Sequence, residues 1–376
     1  MSLFILIFLL QDPKAFEEAK TLAKSAVEKR KAGDPDGAIA DLTRAIELSP
    51  RFAYAWTELG YLKNEKGDYK GALSDLNRSL EINPKQPEAF NNRAFAKQNL
   101  GDHVAAIKDF TEAIVLNPRL AAAYDGRASS KREKGDLDGA LADHDKAVDL
   151  SPKNVPSLNN RGKTKRAKGD YAGAIADHTR ALEIDPEDPI VLQGRGRAYL
   201  LSGSLEKAIA DLRKGVDLDG SAVGLRFDHG SALFQARRFR EAAAEFATCC
   251  KLDPDGQDDY RLRLWLCRAR GGEEKEAADD LRQYFKKREE PADWIRKIAA
   301  FLLDECSEKE LLAAVADPKK PSRRVASANY YAATRRLLRK DDQGAAELFQ
   351  ACVEAGFRDS YMTLSAKLEL AALKGK

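Results

Sequence analysis

A proline returns every 34 residues along most of this 376-residue chain: Pro50, Pro84, Pro118, Pro152 and Pro186, then Gly220 in its place, then Pro254. A period that strict means copies of one unit, and such a unit buries its apolar face on its neighbours rather than in a core of its own. Counting each proline as position 32 divides the chain into windows 19–52, 53–86, 87–120, 121–154, 155–188, 189–222 and 223–256. Position 20 is alanine in every window: Ala38, Ala72, Ala106, Ala140, Ala174, Ala208 and Ala242. Position 15 is Gly33, Gly67, Gly101, Gly135, Gly169 and Gly203, and fails only at Arg237.

Each recurring residue has a mechanical reason. Glycine at position 15, followed by Asp34, Asp68, Asp102, Asp136 or Asp170, joins a helix stop to a helix start. The glycine takes the left-handed geometry past a helix end, and the aspartate caps the free N–H groups of the next helix. Each window therefore predicts two short helices around a tight turn. The unvarying alanine lets them approach closely, where a larger side chain would overpack by about 1–3 kcal/mol. The proline cannot continue the second helix and pushes the residue before it out of helical geometry.

The second window carries Trp56, Leu59, Gly60, Ala72, Leu76 and Pro84 in the order of a known repeat pattern. On these residues, and on the agreement of seven windows, residues 19–256 resemble the tetratricopeptide repeat (TPR) family. The resemblance implies an all-α fold, a right-handed α-solenoid of antiparallel helix pairs forming a TPR superhelix. It also implies that the first helix of each pair lines a concave protein-binding face. The chain departs from the family pattern at position 11, where Lys63, Lys97, Lys131 and Lys165 replace the usual tyrosine. It departs at position 7 too, with Arg93, Arg127, Arg161 and Arg195. Position 23 is always acidic: Asp41, Asp75, Asp109, Asp143, Asp177, Asp211 and Glu245. A buried charge needs a partner, so an Arg–Asp ladder tying neighbouring helices is expected.

Apolar content of 43% with 33% charged residues is that of a soluble helical protein. The 63 basic and 60 acidic residues are mixed along the helices, with no sustained basic tract, so nucleic acid is not expected as a partner. The apolar run from Leu3 to Leu10 is too short for a transmembrane span, which needs roughly 20 residues. Residues 1–18 read as a signal-like segment or as an apolar cap on the solenoid; export to the periplasm is favoured over a cytoplasmic location. Cys249 and Cys250 take positions 27 and 28 and read as small core residues, with a disulfide to Cys267 left open. His144 and His178 take position 24, where leucine or phenylalanine stands elsewhere, and read as core histidines. No nucleophile elbow, zinc helix or phosphate loop occurs, so no catalysis, metal or cofactor is expected.

Residues 257–376 read as a divergent helical tail. It comprises a degenerate unit at 257–290, a capping box from Ser307 to Glu310, a linker at 317–322, and a further repeat with Ala333, Ala345, Phe349 and Cys352. A capping helix over 361–373 closes it. The helix order after residue 290 is similar to the C-terminal region of bacterial envelope TPR lipoproteins that scaffold peptidoglycan hydrolases. That similarity implies a bacterial adaptor working outside the cytoplasm, although the first cysteine, Cys249, is too late for a lipid anchor.

The family geometry aims positions 2, 5, 6, 9 and 12 of the first helices into the concave groove. These are Tyr54, Tyr61 and Asn64; Asn91, Asn92, Phe95 and Gln98; Asp125, Ser129 and Arg132; Asn159, Asn160, Lys163 and Arg166; and Arg197. Asparagine amides suit a peptide backbone, and the basic residues suit carboxylates. The expected function is a scaffold or adaptor holding an extended, acidic protein segment in the groove. The alternative makes the tail, where Trp294, Tyr330 and Tyr331 cluster, the main binding or homodimerising module, with the repeats as its spacer.

Overall fold

The computed structural model describes residues 12–288, 293–316, 323–355 and 361–375. The apolar run at 3–10 and the expected linker at 317–322 lie outside these. Among the described residues there are 21 helices and no strand. They fall into two compact units, within 1–168 and 169–376, divided in the turn inside the window 155–188.

The first unit contains α1 (Pro13–Lys31), α2 (Pro35–Leu48), α3 (Ala53–Glu65), α4 (Tyr69–Ile82), α5 (Pro87–Asn99), α6 (His103–Leu116), α7 (Ala121–Glu133), α8 (Leu137–Leu150) and α9 (Val155–Lys168). The paired helices are those of a TPR solenoid. The turn glycines Gly33, Gly67, Gly101, Gly135 and Gly169 all have φ between +78° and +86°. Asp34, Asp68, Asp102 and Asp136 each accept a hydrogen bond from the backbone N–H three residues on, at 2.8–3.0 Å. The core of this unit is a succession of small clusters, one per pair of neighbours. Phe16 of α1 meets Phe52 edge-on at 5.3 Å, so the start of the first described helix packs on the next pair.

The charged positions join the same helices. Arg93 holds Asp109 by two bonds of 2.7 and 2.8 Å, and Arg127 holds Asp143 in the same way at 2.8 and 2.7 Å. Each arginine also reaches back to position 25 of the preceding pair, Asn77 at 2.9 Å and Thr111 at 3.2 Å. The lysine at position 11 completes the cluster: Lys97 lies 2.7 Å from Asp109 and Lys131 2.8 Å from Asp143. One acid thus collects an Arg and a Lys from the first helix of its own repeat, and the Arg ties that repeat to the one before.

The second unit contains α10 (Tyr171–Ile184), α11 (Pro189–Leu201), α12 (Leu205–Leu218), α13 (Val223–Gln235), α14 (Phe239–Leu252), α15 (Gln257–Arg270), α16 (Glu274–Lys287), α17 (Asp293–Leu302), α18 (Glu308–Val315), α19 (Arg323–Leu338), α20 (Asp342–Glu354) and α21 (Tyr361–Lys374). Arg195 and Asp211 repeat the clamp at 2.6 and 2.8 Å. In the following window His229 replaces the arginine and faces Glu245 at 3.1 Å, with Arg226 adding a bond of 2.9 Å. Arg237, at the one position 15 lacking glycine, still adopts φ +60°. The turn geometry is therefore imposed by the helix pair and not by the residue.

A single apolar core runs from Leu200 to Ala366 and takes in Trp265, Tyr330, Tyr331 and Phe349. The Ser307–Glu310 capping box forms as the motif requires. Arg335 is buried and donates to the carbonyls of Phe301 and Leu302 and to both carboxylate oxygens of Asp304, closing the C-terminal end of α17. All five cysteines are free, so the disulfide left open by the spacing of Cys267 does not form. Burial pushes the Cys249 and Cys352 thiols up to about 12.

Candidate protein-binding face

In the first unit the successive first helices α3, α5, α7 and α9 touch one another, while the second helices α4, α6 and α8 make no comparable contact. The first helices therefore line the inner side of the curve, and side chains from their positions 2, 5, 6, 9 and 12 share that face.

Tyr54 and Phe95 are the open apolar groups there, each 44% exposed. Phe95 is steadied edge-on by Tyr69 at 6.4 Å, and Tyr54 leans on Phe52 at 5.8 Å. Burial, with Glu58 adding to it, raises the Tyr54 hydroxyl above its ordinary value. Tyr61 donates to Glu65 at 2.7 Å and carries the Arg30 guanidinium 4.8 Å above its ring. Glu58, which the pattern did not single out, also belongs to this cluster. Burial holds its carboxyl above the usual range, against the pull of Arg30.

Five asparagines belong to the row: Asn64 and the neighbours Asn91–Asn92 and Asn159–Asn160. Asn64 is buried and donates from Nδ2 to the Asn92 carbonyl at 2.8 Å, bridging α3 to α5. Asn91 donates weakly to Asn92 Oδ1 at 3.4 Å. Asn160 donates to Asp125 at 2.9 Å, whose other oxygen faces His144 Nδ1 at 3.0 Å. Asp125 thereby ties α7, α8 and α9, and His144 is a core residue with a polar anchor. The side-chain oxygens of Asn64, Asn91 and Asn159 are buried and accept no hydrogen bond from the protein. A buried acceptor left so costs about 1–3 kcal/mol until a donor arrives. Gln98, Ser129, Lys163 and Arg166 are half-buried along the same row, and Arg132 lies 3.3 Å from Glu133.

Arg197 stands apart. It belongs to the second unit and pairs at 2.5 Å with Asp228, a carboxylate with no solvent exposure. Burial lowers its pKa, but Asp228 and Tyr361 raise it further, so it is held as a cation by groups of its own chain. Tyr330 and Tyr331, which marked the tail as an alternative module, are fully enclosed in the core.

Models of the tetratricopeptide repeat family match residues 24–87 and 165–220. With the helix pairs, the turn glycines and the buried position-20 alanines already in place, the family follows. The chain is a tetratricopeptide-repeat protein. Among solved structures it is similar to a TPR protein from Parabacteroides merdae, at 20% identity and a TM-score of 0.52, over 67% of this chain and 99% of that one. It is similar also to Pseudomonas aeruginosa pilF, at 17% identity and a TM-score of 0.50, over 58% and 96%. A third is PilW, a type IV pilus biogenesis factor, at 17% identity and a TM-score of 0.50, over 53% and 92%. At such identities the likeness carries the fold alone. No curated protein matches the chain. TPR repeats are interaction scaffolds, and protein partners are what this family implies. No helix among the described residues is long and apolar enough to cross a membrane.

Proposed function

We propose that this TPR protein is a non-enzymatic adaptor that captures an extended protein segment along the inner face of its first unit. The observation that carries the reading is the row of buried asparagine oxygens at Asn64, Asn91 and Asn159 beside the open rings of Tyr54 and Phe95. An extended backbone presents N–H groups at regular intervals, which can answer the asparagine acceptors, while an apolar side chain lies on a ring. Arg132, Lys163 and Arg166 bias the far end of the row toward carboxylates.

The test is to select extended peptides from a random library against the full chain and measure their affinity by fluorescence anisotropy. Replacing Tyr54 and Phe95 together by alanine should weaken binding by about tenfold or more, since exposed aromatic anchors carry much of such an interface. Arg132→Ala with Lys163→Ala should erase a preference for acidic peptides and flatten the salt dependence. Selected peptides that bind all these variants as tightly as the parent chain would remove the groove from the account.

A further inference from the structure

The inner face of the second unit is already occupied, and its occupant is the chain's own last helix. Tyr361, at the start of α21, donates its hydroxyl to Asp228 Oδ1, 133 residues earlier on α13. Asp228 is wholly buried and also accepts from Gln193 Nε2 at 2.6 Å and from Arg197 Nε at 2.5 Å, both on α11. The Tyr361 ring meets Phe227 at 5.7 Å and 66°. Two turns on, Glu369 forms ion pairs with Arg270 at 2.7 Å and Arg237 at 3.3 Å. Gln193 and Arg197 hold positions 5 and 9, and Asp228 position 6. In the first unit the same positions make up the proposed binding row.

α21 gives Met362 and Ala366 to the apolar core, but its seat on α13 is incomplete. A cavity of about 170 Å³ remains between α13 and α21, lined by Gln235, Arg237, Ser365, Leu368 and Glu369. Both amide atoms of Gln235, at the cavity, and the hydroxyl of Thr363, elsewhere on α21, are buried with no hydrogen-bond partner in the protein. Orphaned polar groups lower the free energy needed to open an interface, and an element held by polar anchors at its edges opens before its core does. From this geometry we infer that α21 is a latch: a self-supplied ligand that closes the inner face of the second unit. When it leaves, Arg197, Arg237 and Arg270 lose their internal carboxylate or hydroxyl contacts to it, and the face becomes a site for an acidic protein segment.

The experiment uses the full-length chain and its Tyr361→Phe, Glu369→Gln double variant. Both substitutions are near-isosteric and leave the apolar core untouched. Hydrogen exchange should show α21 opening as a block in the parent chain, faster than α14 and α15. In the variant its exchange should rise about tenfold or more with α14 and α15 unchanged, as losing charge-assisted bonds from one element predicts. A fluorescein-labelled oligoglutamate peptide should bind the variant about tenfold more tightly than the parent, because the competent state is more populated. Exchange of α21 in step with α14 and α15, or a released α21 with unchanged probe affinity, would overturn the inference. Phe95→Ala should leave α21 exchange unchanged, which keeps this result independent of the first unit's groove.

Discussion

Arg127→Leu is the sharpest test of what the charged positions contribute. Asp143 and Asp75 occupy the same position 23, and their side chains are equally enclosed, at 8% and 7% exposure. Asp143 receives two bonds from Arg127 and one contact from Lys131, whereas Asp75 has only Lys63 at 2.6 Å, because its repeat carries Leu59 at position 7. The two carboxyls are driven in opposite directions. Burial pushes Asp143 up, but Arg127 and Lys131 pull it down further, so it ends below the ordinary carboxylate value. Burial pushes Asp75 up and Lys63 alone does not offset it, so it ends above.

Linkage fixes the sign for each. A depressed folded pKa means Asp143 contributes stability above its unfolded value, and that contribution is lost as pH falls through the folded one. A raised folded pKa means ionised Asp75 opposes folding near neutrality, and that opposition disappears on acidification. Arg127→Leu gives Asp143 the surroundings of Asp75. It removes two charge-assisted bonds from a mostly buried carboxylate that keeps its lysine, a loss of about 2–3 kcal/mol at neutral pH. Urea unfolding should show a lower midpoint at pH 7 and a smaller difference from the parent chain as pH drops below the carboxylate range. Carboxyl-carbon NMR should show Asp143 crossing from below to above its ordinary value. An unchanged midpoint, or an Asp143 that stays depressed, would refute the assignment of its stability to Arg127.

Packing makes further demands. A methyl at Gly126 would stand 2.3 Å from the Phe110 ring, so Gly126→Ala should cost about 1–3 kcal/mol and lower the melting temperature measurably. Ala174 is fully buried while Ala167 is exposed, so Ala174→Leu should destabilise by a similar 1–3 kcal/mol and Ala167→Leu by little; equal melting temperatures would show the register to be wrong. Asp136 accepts from the Gly139 N–H at 2.9 Å, so Asp136→Ala should cost about 1 kcal/mol in urea unfolding, and a neutral result would mean water replaces the cap.

The legible part of this fold is the part that repeats. Position 20, position 15 and the aspartate after it each recur for a local reason, and the structure places all seven alanines with no exposure. The role of the position-11 lysines was present in the same register, twelve residues before the acids they meet, but a departure from the family tyrosine hid it. Arg237 could not be read as a left-handed residue, since nothing in an arginine signals that conformation and the constraint comes from the packed pair. Tyr330 and Tyr331 looked like surface candidates because their repeat is degenerate; only the closure of the tail around them shows that they are core. The contact of Tyr361 with Asp228 has no sequence signal, because no period relates residues so far apart.

The clamp and the latch use different rows of one repeat. Positions 7, 11 and 23 are spent on holding first helix to second and each repeat to its predecessor, and that use is the same in Arg93, Arg127 and Arg195. Positions 5, 6 and 9 are free to vary in partner: Asp125 takes Asn160 and His144, while Asp228 takes Gln193, Arg197 and, from α21, Tyr361. Removing a clamp residue should therefore change stability with little effect on which ligands bind, and removing an exposed second-row residue such as Phe95 should do the reverse. A chain in which Arg127→Leu altered ligand preference as strongly as stability would show that the two rows are not separate, and the division of labour within the repeat would have to be abandoned.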